Sequence, residues 1–178
     1  LSVQEYQQTK SEKTHLPQSI ESFNVGKHEG AESDLSVEQE PITYNIPLSV
    51  ELQMYTVDIC RQYNIDPALI FAIMFIETNY NPNINLPDGV GIMAIHPMNL
   101  PELKNKINIA DLTDPEQNIK AGCYYLSQYL MTYQNIEHAL IAYNCGGVGA
   151  NKLIAQGINS TTYSRKVLQQ YQLISQQV

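Results

Sequence analysis

DPALIFAIMFIETNYN, residues 66–81, decides the reading of this chain, because a run that is apolar all round ends in a single carboxylate. Asp66 is a good N-cap and Pro67 suits the first helical position, where a missing N–H leaves nothing unpaired. Residues 68–76 are apolar on every face, which predicts a helix surrounded by protein on all sides, the central helix of a bundle. Glu77 then falls just before Asn79, Asn81 and Pro82 end the pattern, so the helix delivers an acid to the edge of the core. A carboxyl there is partly desolvated, its charged form is disfavoured, and it can hold a proton near neutral pH, as a general acid must. The same placement also fits a helix-end glutamate that reaches solvent.

Outward from this stretch the chain reads as a succession of helices. Residues 49–63 place Val50, Met54 and Val57 on one face with Leu52, Tyr55 and Ile59 beside it, expected to pack on the central helix across a short turn. Residues 81–101 break into Pro, Asn and Gly with short apolar pieces, predicting a loop or a small hairpin around 90–95 directly after the acid. A short helix is expected at 100–107. Asp114-Pro115-Glu116 repeats the cap signature and opens a long helix over 115–133, whose Ile119, Cys123, Leu126, Leu130 and Tyr133 keep the spacing of a buried face. Residues 136–144 form another helix, ended by Cys145-Gly146-Gly147 in a left-handed glycine cap, and 148–155 and 162–175 complete the set. The predicted class is all-α, or at most α+β, with a small irregular or hairpin segment.

Composition bounds the function. With 178 residues and 43% hydrophobic content, the chain is long enough for one domain with its own core plus an extension. Residues 1–45 hold eight acids and three lysines, against ten acids and seven bases in the remainder. The acidity is concentrated in a Gln-, Ser- and Glu-rich arm with the composition of a linker or stalk, and the compact domain is expected over 46–178. No basic cluster exists to bind nucleic acid by releasing counterions. No apolar run reaches the length that spans a membrane. The first residue is Leu, so the sequence reads as a mature or trimmed form whose upstream signal or anchor has been removed. The three cysteines, Cys60, Cys123 and Cys145, each lie in an apolar helical pattern and read as small buried hydrophobes, since no CxxC or Cys/His spacing is present.

Other chemistries find little support. Gly146-Gly147-Val148-Gly149 follows a helix and lacks both GxGxxG spacing and a following Lys-Ser/Thr, which argues against a phosphate loop. His96 and His138 have no partners at metal-ligand spacing, so no metal or other cofactor is expected. No GxSxG elbow supports a serine nucleophile. What remains is a lone acid, a glycine-flanked loop after it, and a Tyr-Asn pair before a Gly-Gly turn.

Three motifs in order carry a family resemblance: Ile76-Glu77-Thr78, then Gly91-Ile92-Met93-Ala94 with Ile95-His96-Pro97, then Ala139-Leu140-Ile141-Ala142-Tyr143-Asn144-Cys145-Gly146. Asp114-Pro115, Asn118-Ile119, Gly122, Tyr125-Leu126, Tyr163 and Lys166-Val167 support them. Over roughly residues 48–170 the sequence resembles the catalytic domain of soluble lytic transglycosylases, the lysozyme-like family that cleaves the glycan strands of bacterial peptidoglycan. Its departures are Ala94 for the Gln of the GLMQ element, Thr78 for Ser, and Cys145 for Ala. The stretch between Glu77 and Gly91 is also shorter than usual, which implies a trimmed roof over the site.

The resemblance implies a compact helical lysozyme-like domain in which the irregular segment lies beside an active-site groove. It implies that a protonated Glu77 donates to the bond between N-acetylmuramic acid and N-acetylglucosamine, then acts as base while the muramic 6-hydroxyl attacks the anomeric carbon to leave a 1,6-anhydro end. Ordinary glycosidases pair two carboxylates, about 5 Å or roughly 6.5–9.5 Å apart. Here the substrate carries its own nucleophile, and Asp88, the nearest second acid in sequence, is not expected to be catalytic. Thr78, Met93, Tyr143, Asn144 and Tyr163 are the implied substrate-binding residues: Tyr143 would orient Glu77 or the sugar, Asn144 would bond sugar or peptide, Met93 would floor a sugar ring, and Tyr163 would wall the groove. The expected setting is extracellular or cell-wall associated, as a monomer acting on glycan strands. A goose-type lysozyme-like hydrolase and a non-catalytic wall-binding module are the rival readings.

Overall fold

The computed structural model describes residues 43–177; the expectations for residues 1–42 lie outside them. Six α-helices, one short 3-10 helix (Pro97–Asn99) and one small hairpin make up the described part: α1 (Val50–Tyr63), α2 (Pro67–Thr78), β1 (Asn85–Leu86), β2 (Gly89–Val90), α3 (Leu100–Ile107), α4 (Pro115–Tyr133), α5 (Ile136–Ala155) and α6 (Thr162–Ser175). Among the described residues no helix is long and apolar enough to cross a membrane.

Helix α2 is the centre, as its composition predicts. The Asp66 side chain accepts from the Ala68 N–H at 2.9 Å, and Ala68 through Met74 are all buried. Each large apolar side chain among them contributes about 1.5–3 kcal/mol by leaving water. The helix packs most extensively on α6, while α4 lies against both α5 and α1. Asp66 also helps dock α6, because its other carboxylate oxygen accepts from the Tyr171 hydroxyl at 3.0 Å.

Helix α1 turns a different face inward from the one expected. Val50 and Met54 are 50% and 45% exposed, and the buried residues are Gln53, Thr56, Ile59 and Cys60. Two polar side chains tolerate burial because each is bonded: the Gln53 amide accepts from the Tyr44 N–H and donates to the Leu48 carbonyl, and the Thr56 hydroxyl donates to the Leu52 carbonyl. A paired polar group loses little on burial, so hydrophobicity alone selected the wrong stripe.

The irregular segment holds a two-stranded antiparallel hairpin, with Asn85 opposite Val90 and Leu86 opposite Gly89. It starts earlier than the expected 90–95, which survives as a single antiparallel bridge between Val90 and Ile95. The second expected break is also altered. Helix α5 continues through the glycines, and Gly146 alone leaves helical geometry at φ 74°, ψ 160°. That is an extended conformation of positive φ open almost only to glycine, rather than a left-handed cap, and it kinks the helix without ending it.

Candidate active site

Glu77 occupies the last turn of α2 and is half-buried. Burial raises its carboxyl above the usual range, partly offset by a hydrogen bond from Tyr163 that favours the ionised form. The Tyr163 hydroxyl donates to Glu77 Oε1 at 2.5 Å. Tyr163 stands in the first turn of α6, which is fixed by a capping box in which Thr161 and Ser164 bond each other's backbone N–H. Burial first and the Glu77 charge next keep the Tyr163 hydroxyl well above its ordinary pKa, so it remains a donor. The acid is thus desolvated, oriented from one side, and able to carry its proton on the other oxygen.

The loop beside the acid is bound down by one buried amide. Asn118, on α4, accepts from the Met93 N–H at 2.8 Å and donates to the Val90 and Leu112 carbonyls at 2.8 and 2.9 Å. Gly91 passes so close over this amide, at φ 71°, that an added Cβ would lie 2.3 Å from Asn118 Nδ2. The loop's carbonyls then receive the site's hydroxyls. Thr78 Oγ1 lies 2.8 Å from the Ile92 oxygen and 3.1 Å from that of Met74, and the Tyr143 hydroxyl donates to the Met93 oxygen at 3.0 Å.

These contacts revise three of the expected roles. Tyr143 lies close enough for the Glu77 charge to help raise its pKa, after burial, yet its hydroxyl is committed to the loop, and Tyr163 is the residue that bonds the acid. Thr78 likewise ties the end of α2 to the loop, with its hydroxyl turned to backbone carbonyls. Met93 is fully buried, with its side chain packed against Gly122; it supports the loop from beneath and cannot floor a sugar ring. Asn144 is exposed on the groove, as a ligand-binding residue needs.

The groove encloses about 480 Å³ and runs along Ala94, Glu102, Tyr125, Tyr129, Tyr143 and Asn144, with Asp88 and Cys145 also on its wall. Cys60 and Cys123 are buried as expected, but Cys145 is exposed; it follows the Tyr-Asn pair at the groove, and its thiol donates to the Ile141 carbonyl at 3.1 Å. Ala94 adopts φ 48°, a conformation that disfavours most side chains by roughly 1–2 kcal/mol. Asn118, Glu102 and Tyr129 were not singled out from sequence as site residues. Tyr129 had a readable signal, four residues after Tyr125 and four before Tyr133, on one helical face. Among the described residues no group of three or more His, Cys, Asp or Glu side chains could hold a metal ion.

Glu77 and Tyr163 are not in the lining of this groove, but Tyr143, which feels the Glu77 charge, is. A helical domain of this build matches the Transglycosylase SLT domain family over residues 55–165, and the chain belongs to that family. It is similar to a transglycosylase of Enterobacteria phage PRD1, 31% identical over 113 residues, which covers 64% of this chain and 40% of that protein. It is similar also to membrane-bound lytic murein transglycosylase F of Pasteurella multocida, 38% identical over 92 residues, 47% of this chain and 18% of that protein. The chain therefore spans less than half the length of these curated relatives. Among solved structures, the lytic transglycosylase Slt of Pseudomonas aeruginosa, an inactive mutant, superposes with a TM-score of 0.60 at 22% identity, over 68% of this chain and 23% of that one. The 70-kDa soluble lytic transglycosylase in complex with bulgecin A superposes at 0.55 and 22% identity, over 67% and 24%. These two likenesses establish the lysozyme-like fold expected from the sequence.

Proposed function

We propose that this chain is a peptidoglycan lytic transglycosylase that cleaves the β-1,4 bond between N-acetylmuramic acid and N-acetylglucosamine and leaves a 1,6-anhydromuramic end. The observation that carries this reading is the half-buried Glu77, its carboxyl raised above the usual range by burial and held by the Tyr163 hydroxyl. Glu77 gives its proton to the glycosidic oxygen as the anomeric C–O bond breaks, so the leaving sugar departs with a neutral 4-hydroxyl. The resulting carboxylate takes the proton of the muramic 6-hydroxyl as that oxygen bonds the anomeric carbon, and no water is consumed. Glu77 ends protonated, ready for the next turnover. Tyr163 is a positioning residue that fixes the carboxyl and moderates its pKa, and Asn144 bonds the substrate in the groove. Thr78, Tyr143 and Met93 act through the loop they hold.

In this reading residues 46–178 are the catalytic unit and residues 1–45 an arm. On the same reading the protein works as a monomer, exported and associated with the cell wall; the relatives are named for a membrane and for murein, the glycan of that wall. Mass spectrometry of products released from purified peptidoglycan tests the proposal. Anhydro-muropeptides, one water lighter than hydrolytic products and absent with Glu77→Gln, are expected. Reducing-end products would make the chain a hydrolase, and no release would make it a binding module.

A further inference from the structure

Along α4, Tyr125, Tyr129 and Tyr133 recur every fourth residue and form one stripe. The rings of Tyr125 and Tyr129 are nearly parallel, 6.3 Å apart at 21°, and Tyr133 continues the row at 6.4 Å and 42°. The stripe borders the buried face of the same helix, where Ile119, Cys123, Leu126 and Leu130 enter the core, and its rings pack in part against the buried residues. All three tyrosines are half-buried, and Tyr125 and Tyr129 line the groove. Two of the rings are anchored by their hydroxyls: Tyr125 donates to Glu102 Oε2 at 3.2 Å, and Tyr133 donates to Asn151 Oδ1 at 2.9 Å, with the Gly147 carbonyl at 3.2 Å. Among the described residues the Tyr129 hydroxyl makes no such bond.

We propose that Tyr125 and Tyr129 form a stacking subsite for a pyranose ring of the glycan strand, with Tyr129 its principal contact. The inference rests on the glycan-cleaving reading above and extends it to a part of the groove distinct from the acid and the residues that bond it. An aromatic face is electron-rich, and the axial C–H bonds of a pyranose carry partial positive charge, so the two attract in the geometry that stacked aromatic pairs also favour. Tyr125 is held in advance by its hydroxyl and Tyr129 by its packing between Tyr125 and Tyr133, so both lose little freedom on binding. Glu102 and Asn99, on the same wall, supply acceptors for the equatorial hydroxyls that surround such a ring. The free Tyr129 hydroxyl adds a polar contact, but the ring face supplies the affinity.

The test uses a peptide-free tetrasaccharide of alternating N-acetylglucosamine and N-acetylmuramic acid, titrated calorimetrically into the full chain carrying Glu77→Gln, so that binding is read without turnover. Adding Tyr129→Leu is expected to weaken binding about three- to tenfold, the range of an aromatic contact, while Tyr129→Phe stays within about twofold of the parent. With Glu77 intact, Tyr129→Leu is expected to raise KM by a similar factor and leave kcat within about twofold, at an unchanged far-ultraviolet circular dichroism spectrum. Unchanged affinity in both Tyr129 variants would overturn the subsite while leaving the glycan reading standing. Equal losses in the two would show that the hydroxyl acts and not the face, which also overturns it. No binding of the tetrasaccharide to the Glu77→Gln parent would overturn the glycan reading itself, and the subsite with it.

Discussion

Helix α2 and the loop from β2 to Ile95 meet at the site and are both buried, but their geometry is set by different means. The helix is fixed by the removal of apolar surface from water, spread over seven consecutive buried residues. The loop is short and irregular, and its shape is set by hydrogen bonds: two of the Asn118 amide, with the Met93 N–H and the Val90 carbonyl, and the backbone pair between Val90 and Ile95. Burial is non-directional and sets where Glu77 stands; hydrogen bonds are directional and set how the loop beside it is shaped. A core mutation should therefore reduce the amount of folded protein, and a staple mutation should change what the folded protein does.

The largest expected effect breaks the two regions apart. Leu69→Ala, at a fully buried position of α2, is expected to lower stability by about 2–5 kcal/mol, with kcat per folded molecule nearly unchanged. Asn118→Ala leaves the Met93 N–H and the Leu112 carbonyl without the amide that pairs them and takes one of the Val90 carbonyl's two donors, the Ile95 N–H remaining, at about 1–3 kcal/mol for a buried group that stays dry. Its kcat per folded molecule is expected to fall by at least tenfold, because misplacement of a site wall by about an ångström is enough to lose a large part of the rate. Urea titration with activity measured across the transition separates the two outcomes. A parallel loss of kcat in both variants would remove the distinction.

That division also explains what could be read from the chain. The bounds of α3, α4 and α6, the start of α2 and the all-round burial of its core are written in Asp-Pro caps and in apolar spacing, which are local signals. The inner face of α1 was missed because Gln53 becomes compatible with the core only through Tyr44 and Leu48, partners that hydrophobicity does not encode. The site divides the same way. Glu77 is legible as the sole acid at the end of an apolar helix, whereas the bond from Tyr163 joins residues 86 positions apart, and Met93 differs from a groove residue only by which side of the loop Gly122 occupies. The aromatic stripe lay between these cases, since its spacing was visible but its exposure required the tertiary structure.

A smaller effect sharpens the comparison at the acid itself. The Tyr163 hydrogen bond lowers the Glu77 pKa that burial raises, so Tyr163→Phe removes the opposing contribution and the carboxyl pKa rises. The protonated, donating form then persists to higher pH. The alkaline limb of the kcat/KM profile is expected to move up in pH, while kcat at its optimum falls about three- to tenfold through lost orientation, in the range of one hydrogen bond between neutral groups. A reduced rate with an unmoved alkaline limb would show that Tyr163 acts only as a groove wall.

The smallest expected effect concerns the stability that the site gives up for its chemistry. A carboxyl whose folded pKa lies above its unfolded value binds its proton more tightly in the folded state. Its contribution favours folding below the unfolded value and is lost as pH rises through the folded one. At pH above that folded value the chain holds a desolvated charge at a destabilising position. Glu77→Gln keeps the shape and an acceptor for the Tyr163 hydroxyl but has no charge to bury. It is expected to be more stable than the parent at pH 7–8 by on the order of 1 kcal/mol, in the usual range of stabilising replacements. The advantage shrinks toward pH 4, where the parent's carboxyl is protonated as well, so a pair of melting curves at the two pH values isolates it. An equal difference at both would trace it to packing, leaving the charge of Glu77 without the role that its burial implies.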